Sequence, residues 1–417
     1  MIDPMMKFTN EMVAERLLAL IENAKVVDET GKVSFQADFR FSGWQILLEA
    51  SLQFHSEVPE IERKRIVWRS LNDAGTIGTI EKGTFLQQST KNQSAYLSRP
   101  PQRYVLLTEI SMQADNTLPG GRLGQTTVAF PKSIPPAFNS ARSKMMDLAS
   151  ASLFGKPPTN YKWVRVSTWA RSIDAAATIS LDSLNLLRGI WNLFVNLSPQ
   201  GQNRQTISGP REPVNSIVLG PLHTVHLPSG RIEGDVWWYE PDYCGSIRPL
   251  TLGQHSGELG KFVRYVRKKL SLVPYREQLE EMIRQYGHAL DGRDWNSSFL
   301  HLWQVLESTT DTIQEKYAVT VKRAAFVNTE YEFHQSLLDG LRVMRNRLVH
   351  SGERTPAIEY HLFRLKTYVE NLLLFHLNFA GTFPSLKHVG EFLSLPPDLV
   401  ELRRKVIIYR KGIDFRT

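Results

Sequence analysis

Apolar positions recur with a helical period over several long segments and alternate over short ones. Near the start, Glu11–Asn23 and Trp44–Phe54 predict two helices. Gly-, Ser- and Gln-rich turns are expected from there to Pro101. Short runs rich in β-branched and aromatic residues follow at Tyr104–Ile110, Thr126–Phe130, Tyr161–Trp169, Ser216–Leu219 and Arg231–Tyr239, and each reads as a strand. Among them Leu184, Leu187, Trp191, Phe194 and Val195 stand at helical spacing, which predicts one long helix over Ile173–Leu197. Ser198–Asn215 lacks apolar periodicity and reads as a loop. It marks the break at which residues 1–270 would divide into two subdomains.

Near residue 275 the pattern becomes helical only. Leu279, Met282, Ile283, Tyr286, Ala289 and Leu290 form one broad stripe, which Asp291-Gly292-Arg293 interrupts. Asn296 or Ser297 is expected to cap the next helix, whose stripe is Phe299, Trp303 and Leu306. A third stripe runs Leu337, Leu341, Met344 and Leu348, and Gly352 is expected in the left-handed conformation that ends it. Thr355 and Pro356 read as the cap and first residue of a last helix carrying Leu362, Leu365, Val369, Leu372 and Phe375. Four amphipathic helices with one longer polar link, Ser308–Phe333, imply a bundle. The expected fold class is therefore α+β: a mixed α/β region over 1–270, an all-α bundle over 271–380 and a basic extension over 381–417.

The 417 residues are 42% hydrophobic and 22% charged, an ordinary globular balance that excludes a wholly disordered or collagen-like chain. No stretch approaches the roughly 18 apolar residues of a membrane helix. The first residues lack the basic and apolar regions of a secretory signal. Cys244 is the only cysteine, which excludes an internal disulfide and a Cys-rich zinc site. The expectation is a soluble cytoplasmic protein. Fifty Lys plus Arg against 42 Asp plus Glu leave a charge of +8, which makes an anionic partner such as nucleic acid plausible without requiring one.

The segment richest in chemistry is LRVMRNRLVHSGE, Leu341–Glu353. Arg345 and His350 are separated by four residues, with Asn346 directly after the Arg and Arg347 beside it. At about 100° per residue Arg345 falls at the edge of the apolar stripe, and His350 lies roughly 140° further round. A straight helix does not aim both at one point. A shared site requires an unwound terminus or a second copy of the helix packed face to face. On the residues alone, Arg345 can equally extend from the core edge to solvent, and His350 can meet the last carbonyls of its helix.

This part of the chain resembles a HEPN domain of the Apea-like group. The resemblance runs from Arg276 to about Asn378 and rests on HALDGRDWNSSFLHLWQVLES, on RNRLVH, which fits the R-x4-H ribonuclease motif, and on the closing helix EYHLFRLKTYVENLLLFHL. It implies a homodimeric, metal-independent endoribonuclease that needs no cofactor. His350 would be the acid/base, Arg345 the phosphate clamp, Asn346 a positioning donor, and Glu307 an ion-pair partner that orients Arg345. Such proteins resemble bacterial antiviral effectors and toxins. Residues 1–270 would then sense a trigger or partner protein and control the activity. In one toxin subgroup a tyrosine stands two residues after the His; here that position is Gly352 and offers no hydroxyl to modify. The same bundle also suits a non-catalytic module that dimerises and binds RNA or protein.

Other segments are weaker. Phe262 and Tyr265 interleave with Arg264, Arg267, Lys268 and Lys269, a pattern that suits an RNA backbone and a stacked base, or the solvated face of a connecting helix. His223 and His226 stand three apart, but no nearby Cys or carboxylate completes a zinc set. Pro119-Gly120-Gly121-Arg122-Leu123-Gly124 lacks the Lys-Ser/Thr of a phosphate-binding loop and reads as a surface turn. Glu401–Thr417 is a basic tail that follows the same nucleic-acid path or simply ends the chain.

Overall fold

The computed structural model describes residues 6–36, 39–113, 118, 120–149, 160–198, 212–233, 236–241, 243, 247–352 and 357–417. Cys244, Pro119, the Thr355–Pro356 cap and most of the Ser198–Asn215 loop lie outside the described residues. Over the described residues the fold is α+β and about 59% helical, with an antiparallel sheet and several C-terminal helices. Two compact units emerge: Met1–Leu106 with Ser167–Ser180 and Val225–Ser229, and Leu107–Val166 with Leu181–Thr224 and Gly230–Thr417. The change of pattern near residue 275 falls inside the second unit.

The first unit is mostly helical. It holds α1 (Glu11–Asn23), α2 (Phe39–Ala50), α3 (Glu60–Ile77) and α4 (Lys82–Leu97), with the antiparallel ribbon β1 (Lys25–Val27) and β2 (Val33–Phe35). Leu17, Leu18, Ile21, Leu48, Leu71 and Phe85 meet in its core. The turns expected up to Pro101 are instead α3 and α4. Their buried faces carry Ser70, Gln88, Ser89 and Gln93 among the apolar residues, so no clean stripe marks them. Such polar atoms need partners inside. Ser70 Oγ donates to its own helix's Ile66 carbonyl at 2.6 Å, and Asn92 Nδ2 donates to Asp73 at 2.9 Å.

Six strands build one sheet in the order β4 (Gly121–Leu123), β5 (Thr126–Ala129), β6 (Tyr161–Ala170), β3 (Gln102–Gln113), β7 (Leu222–His226) and β8 (Trp238–Tyr239). Ser216–Leu219 is not a strand. Leu219 makes one bridge to Ile110, and the paired strand is the next segment, whose five residues are all buried. Of Arg231–Tyr239, among the described residues, Trp238–Tyr239 form a strand and Ile232 makes an isolated bridge.

Two further helices belong with the sheet, α5 (Pro136–Ala149) and the long α6 (Ile173–Leu197). The C-terminal helices are α7 (Ser256–Leu270), α8 (Arg276–Ala289), α9 (Trp295–Thr309), α10 (Tyr317–Phe326), α11 (Tyr331–Asn346), α12 (Ile358–Asn378), α13 (Leu386–Leu393) and α14 (Leu399–Arg416). The link read as polar contains α10, and the basic tail is α14, none of whose residues is buried. α9 packs on α12 and α8, and α10 lies against α11. Asp294, rather than Asn296 or Ser297, caps α9; its Oδ1 accepts from the Asn296 amide at 3.2 Å. On α11 Leu338, Leu341 and Met344 are buried and Leu337 is half-buried, so the core face is turned slightly from the expected stripe.

The C-terminal helices share their interior with α6. At their crossing Gly189 faces α8 so closely that a Cβ there would sit 2.5 Å from the Ile283 carbonyl oxygen. α6 also carries a polar stripe, Asn185, Arg188, Asn192 and Asn196, buried among its apolar residues. Arg188 pairs with Asp291 at 2.7 Å, and Asn192 exchanges hydrogen bonds with Ile217 at 2.8 and 3.1 Å. Asn196 Nδ2 donates to Tyr286 Oη at 2.8 Å, while its carbonyl accepts from Lys366 Nζ at 3.2 Å. Lys366 pairs in turn with Glu370 at 2.9 Å, and Tyr286 donates to the same carboxylate at 2.5 Å. Arg188 with Asp291 and Lys366 with Glu370 thus enter this interior as pairs, as burial of a charge requires.

Candidate functional site

α11 ends where the motif lies, and the way it ends decides the geometry. After Asn346 the helix widens into a π-turn over Arg347–Ser351, which Gly352 closes in the left-handed conformation at φ +60°. A π-turn closes i to i+5, so each residue advances by roughly 80° rather than about 100°. The angle between Arg345 and His350 therefore falls from roughly 140° on a straight α-helix to roughly 80°. π-turns are rare and cluster at functional sites.

Arg345 is half-buried and its setting is specific. Its guanidinium carbon lies 4.3 Å from the ring centre of Tyr317, the first residue of α10. Nη1 approaches Asn346 Oδ1 at 3.5 Å, a contact too long to count as a strong hydrogen bond. Tyr317 meets Trp303 of α9 edge-on, with ring centres 6.3 Å apart. Trp303 Nε1 donates to Glu307 Oε1 at 2.9 Å. Burial pushes the Glu307 carboxyl above its ordinary range, opposed by the Trp303 hydrogen bond and the Arg345 charge. Glu307 thus faces Arg345 through space, and no ion pair joins them among the described residues. The orienting contact on Arg345 is the Tyr317 ring, worth roughly 0.5–2 kcal/mol as a cation–π pair.

His350 and Arg347 are exposed on the π-turn. Within one chain, among the described residues, Arg345 and His350 do not touch. Chemically the segment offers a fixed guanidinium at the edge of the core and an exposed imidazole beyond it. One can hold a phosphate, and the other can donate or accept a proton.

Beside Glu307 lies a polar cavity of about 840 Å³ between the end of α8 and the face of α9, with His288, Asp291, His301, Gln304 and Glu307 in its wall. Asp291 is held there by Arg188 and by Asn215, whose Nδ2 donates at 2.7 Å. Burial raises the Asp291 carboxyl, and the Arg188 charge opposes this. The stripe that interrupts the apolar pattern of α6 was the available signal for Arg188. Nothing local marked Tyr317, which sits in the segment read as a link.

The α7 residues separate by face. Phe262 packs on Phe194 with ring centres 5.5 Å apart, and Tyr265 donates to Asn378 Oδ1 at 2.6 Å. Both rings are therefore engaged within the fold rather than presented for base stacking. Lys269 lies over the Tyr265 ring at 5.7 Å, whereas Arg264, Arg267 and Lys268 line a pocket with Arg122. His223 sits between Thr108 Oγ1 at 2.7 Å and Glu240 Oε1 at 3.0 Å, and His226 is buried. Among the described residues no three His, Cys, Asp or Glu side chains are grouped to hold a metal, and no helix is long and apolar enough to cross a membrane. Comparison of the chain with protein-family models, curated proteins and solved structures finds no match.

Proposed function

We propose that the chain is a metal-independent endoribonuclease of the HEPN type, acting as a homodimer in the cytoplasm. The observation that carries the reading is the π-turn. It ends α11 at the R-x4-H motif and swings an exposed His350 toward the side on which Arg345 is held. In this reading the substrate's 2′-oxygen attacks phosphorus and the bond to the 5′-oxygen breaks. His350 moves a proton in this exchange, and Arg345 neutralises the charge that grows on the phosphoryl oxygens. Products are a 2′,3′-cyclic phosphate and a 5′-hydroxyl. Asn346 positions the phosphate, and Glu307 tunes Arg345 through its charge. Residues 1–270 hold the activity at a low residual level until a trigger binds, as an antiviral or toxin effector requires. The trigger must prefer the competent state, because equal affinity for both states shifts nothing.

A second reading is favoured by the Tyr317 stack, which gives Arg345 a purely structural job. The bundle would then dimerise and bind RNA or protein without cutting. One experiment separates the two. Full-length protein is incubated with RNA in excess EDTA, beside His350→Ala and beside RNA carrying 2′-deoxy residues. Cleavage that survives EDTA, leaves cyclic phosphate ends and falls about 100-fold or more in the variant supports the enzyme. Cleavage that EDTA abolishes, with 5′-phosphate ends, overturns it, and binding with no cleavage by either chain establishes the second reading.

A further inference from the structure

The second unit contains a pocket of about 530 Å³ where the β4–β5 hairpin, α6, α7 and the start of α8 meet. Leu186, Ile190 and Leu270 give it an aliphatic floor. Arg122, Arg264, Arg267, Lys268 and Arg276 line its mouth, and all five are exposed. Its one acid, Glu280, is engaged by Arg276 Nε at 2.5 Å. The hairpin is drawn into place by Arg267, whose guanidinium donates to the Arg122 carbonyl. The turn itself depends on Gly124 at φ +57°, a conformation that L side chains rarely adopt. The glycine-rich segment is thus a surface turn, but one that delivers Arg122 to a cluster of cations.

Five like charges around a concave, partly apolar space repel one another and raise the local concentration of anions. A floor without charge and a mouth with several forks match a ligand that is apolar and planar at one end and multiply anionic at the other. We propose that this pocket binds a nucleotide, its base on the aliphatic floor and its phosphates among Arg122, Arg264, Arg267 and Lys268. The same chemistry is offered by a free nucleotide and by one unit of an RNA strand. The RNA form rests on the ribonuclease reading; the free-nucleotide form does not. Because Arg276 opens the first helix of the bundle while the other four cations precede it, a bound phosphate would tie the two parts of the unit together.

The test uses full-length protein and Arg264→Gln/Lys268→Gln, two exposed positions whose loss leaves the core untouched. Two probes are titrated across a range of salt concentrations: ATP, and a short 2′-O-methyl oligoribonucleotide, which lacks the attacking hydroxyl and so reports binding alone. The expected result is binding that weakens at least about tenfold in the double variant. For the oligonucleotide, the slope of log affinity against log salt falls by about 1.4, at about 0.7 for each lost phosphate contact. An effect confined to ATP identifies a free nucleotide, and one confined to the oligonucleotide identifies the strand. Equal affinity and slope in both chains, or no binding of either probe, overturns the proposal. Binding through this pocket by a chain that cuts no RNA refutes the ribonuclease reading alone. Cleavage with pocket-independent binding refutes the nucleotide site alone.

Discussion

Two glycines at one helix crossing are expected to respond oppositely to the same added methyl group. At Gly189 of α6 a Cβ would meet the Ile283 carbonyl oxygen at 2.5 Å and Ile283 Cγ2 at 2.9 Å. The first of these is backbone, which no rotamer change can move, so α6 and α8 must separate. Overpacking of this kind costs typically 1–3 kcal/mol, and the upper part of that range is the better guide here. Replacing glycine within a helix returns about 1 kcal/mol, leaving Gly189→Ala about 2 kcal/mol less stable. At Gly287 the nearest atom is Gly189 Cα at 3.4 Å, an ordinary contact. Gly287→Ala should keep the helix gain of up to about 1 kcal/mol and lose little. Hydrogen exchange read by mass spectrometry on α6 and α8 peptides separates these outcomes, because opening free energies appear there locally. Gly189→Ala should exchange about 30-fold faster, the equivalent of about 2 kcal/mol, and Gly287→Ala should exchange at the parent rate or more slowly. Equal exchange in the two variants would refute the close crossing as the joint between α6 and the C-terminal helices.

Three further expectations follow from the same interior and from the motif. Burial lowers the His376 imidazole to about 4, while its Nε2 bond to the Thr309 carbonyl at 2.8 Å opposes the shift. Its stability contribution is complete above the unfolded pKa of about 6.5 and is lost as pH falls toward 4, by about 3 kcal/mol at most. Urea midpoints at pH 7 and pH 4.5 should differ more for the parent chain than for His376→Gln, and an identical pH dependence would show that His376 does not titrate this way. Mixing Arg345→Ala with His350→Ala chains should restore cleavage if each site takes one residue from each protomer, since mixed dimers then keep one complete site; no recovery places both residues of a site on one chain. Residues 271–417 expressed alone lose Asn196, Arg188 and Asn215, the hydrogen-bonding partners of Tyr286, Lys366 and Asp291. The fragment should be aggregated or molten by near-UV circular dichroism, whereas a well-packed, soluble fragment would show that α6 is dispensable.

Legibility in the sequence followed the clarity of each buried face. α1 was bounded correctly because its buried side, Ala14, Leu17, Leu18 and Ile21, is wholly apolar. α8, α9, α11 and α12 were readable from their apolar stripes, and Gly352 from its place after the last of them on α11, whereas α13 and α14 lay in the segment read only as a basic extension. α3 and α4 were missed because their inner faces accept serine and glutamine, which leave no continuous apolar stripe to read. α10 was missed because its buried residues, Thr320, Val321, Ala324 and Ala325, are small and few. That omission hid Tyr317 and so the stack that holds Arg345. The expected Glu307–Arg345 ion pair gave way to a through-space interaction because Trp303, one helical turn earlier, claims the carboxylate.

The π-turn can also be seen as a matter of chain length. A ring closed at the fifth residue holds one residue more than the α-helical ring it replaces, so the direction of His350 is set by how many residues lie between Asn346 and Gly352, not by which ones they are. Substituting Val349, 46% exposed and in the middle of the turn, would leave that direction alone. Removing it would let the ladder revert to its α-helical spacing and carry the imidazole round by about 40°. The motif is thus written partly in residue identities and partly in a count. A shift of a single residue would re-aim it while every side chain it names was still present.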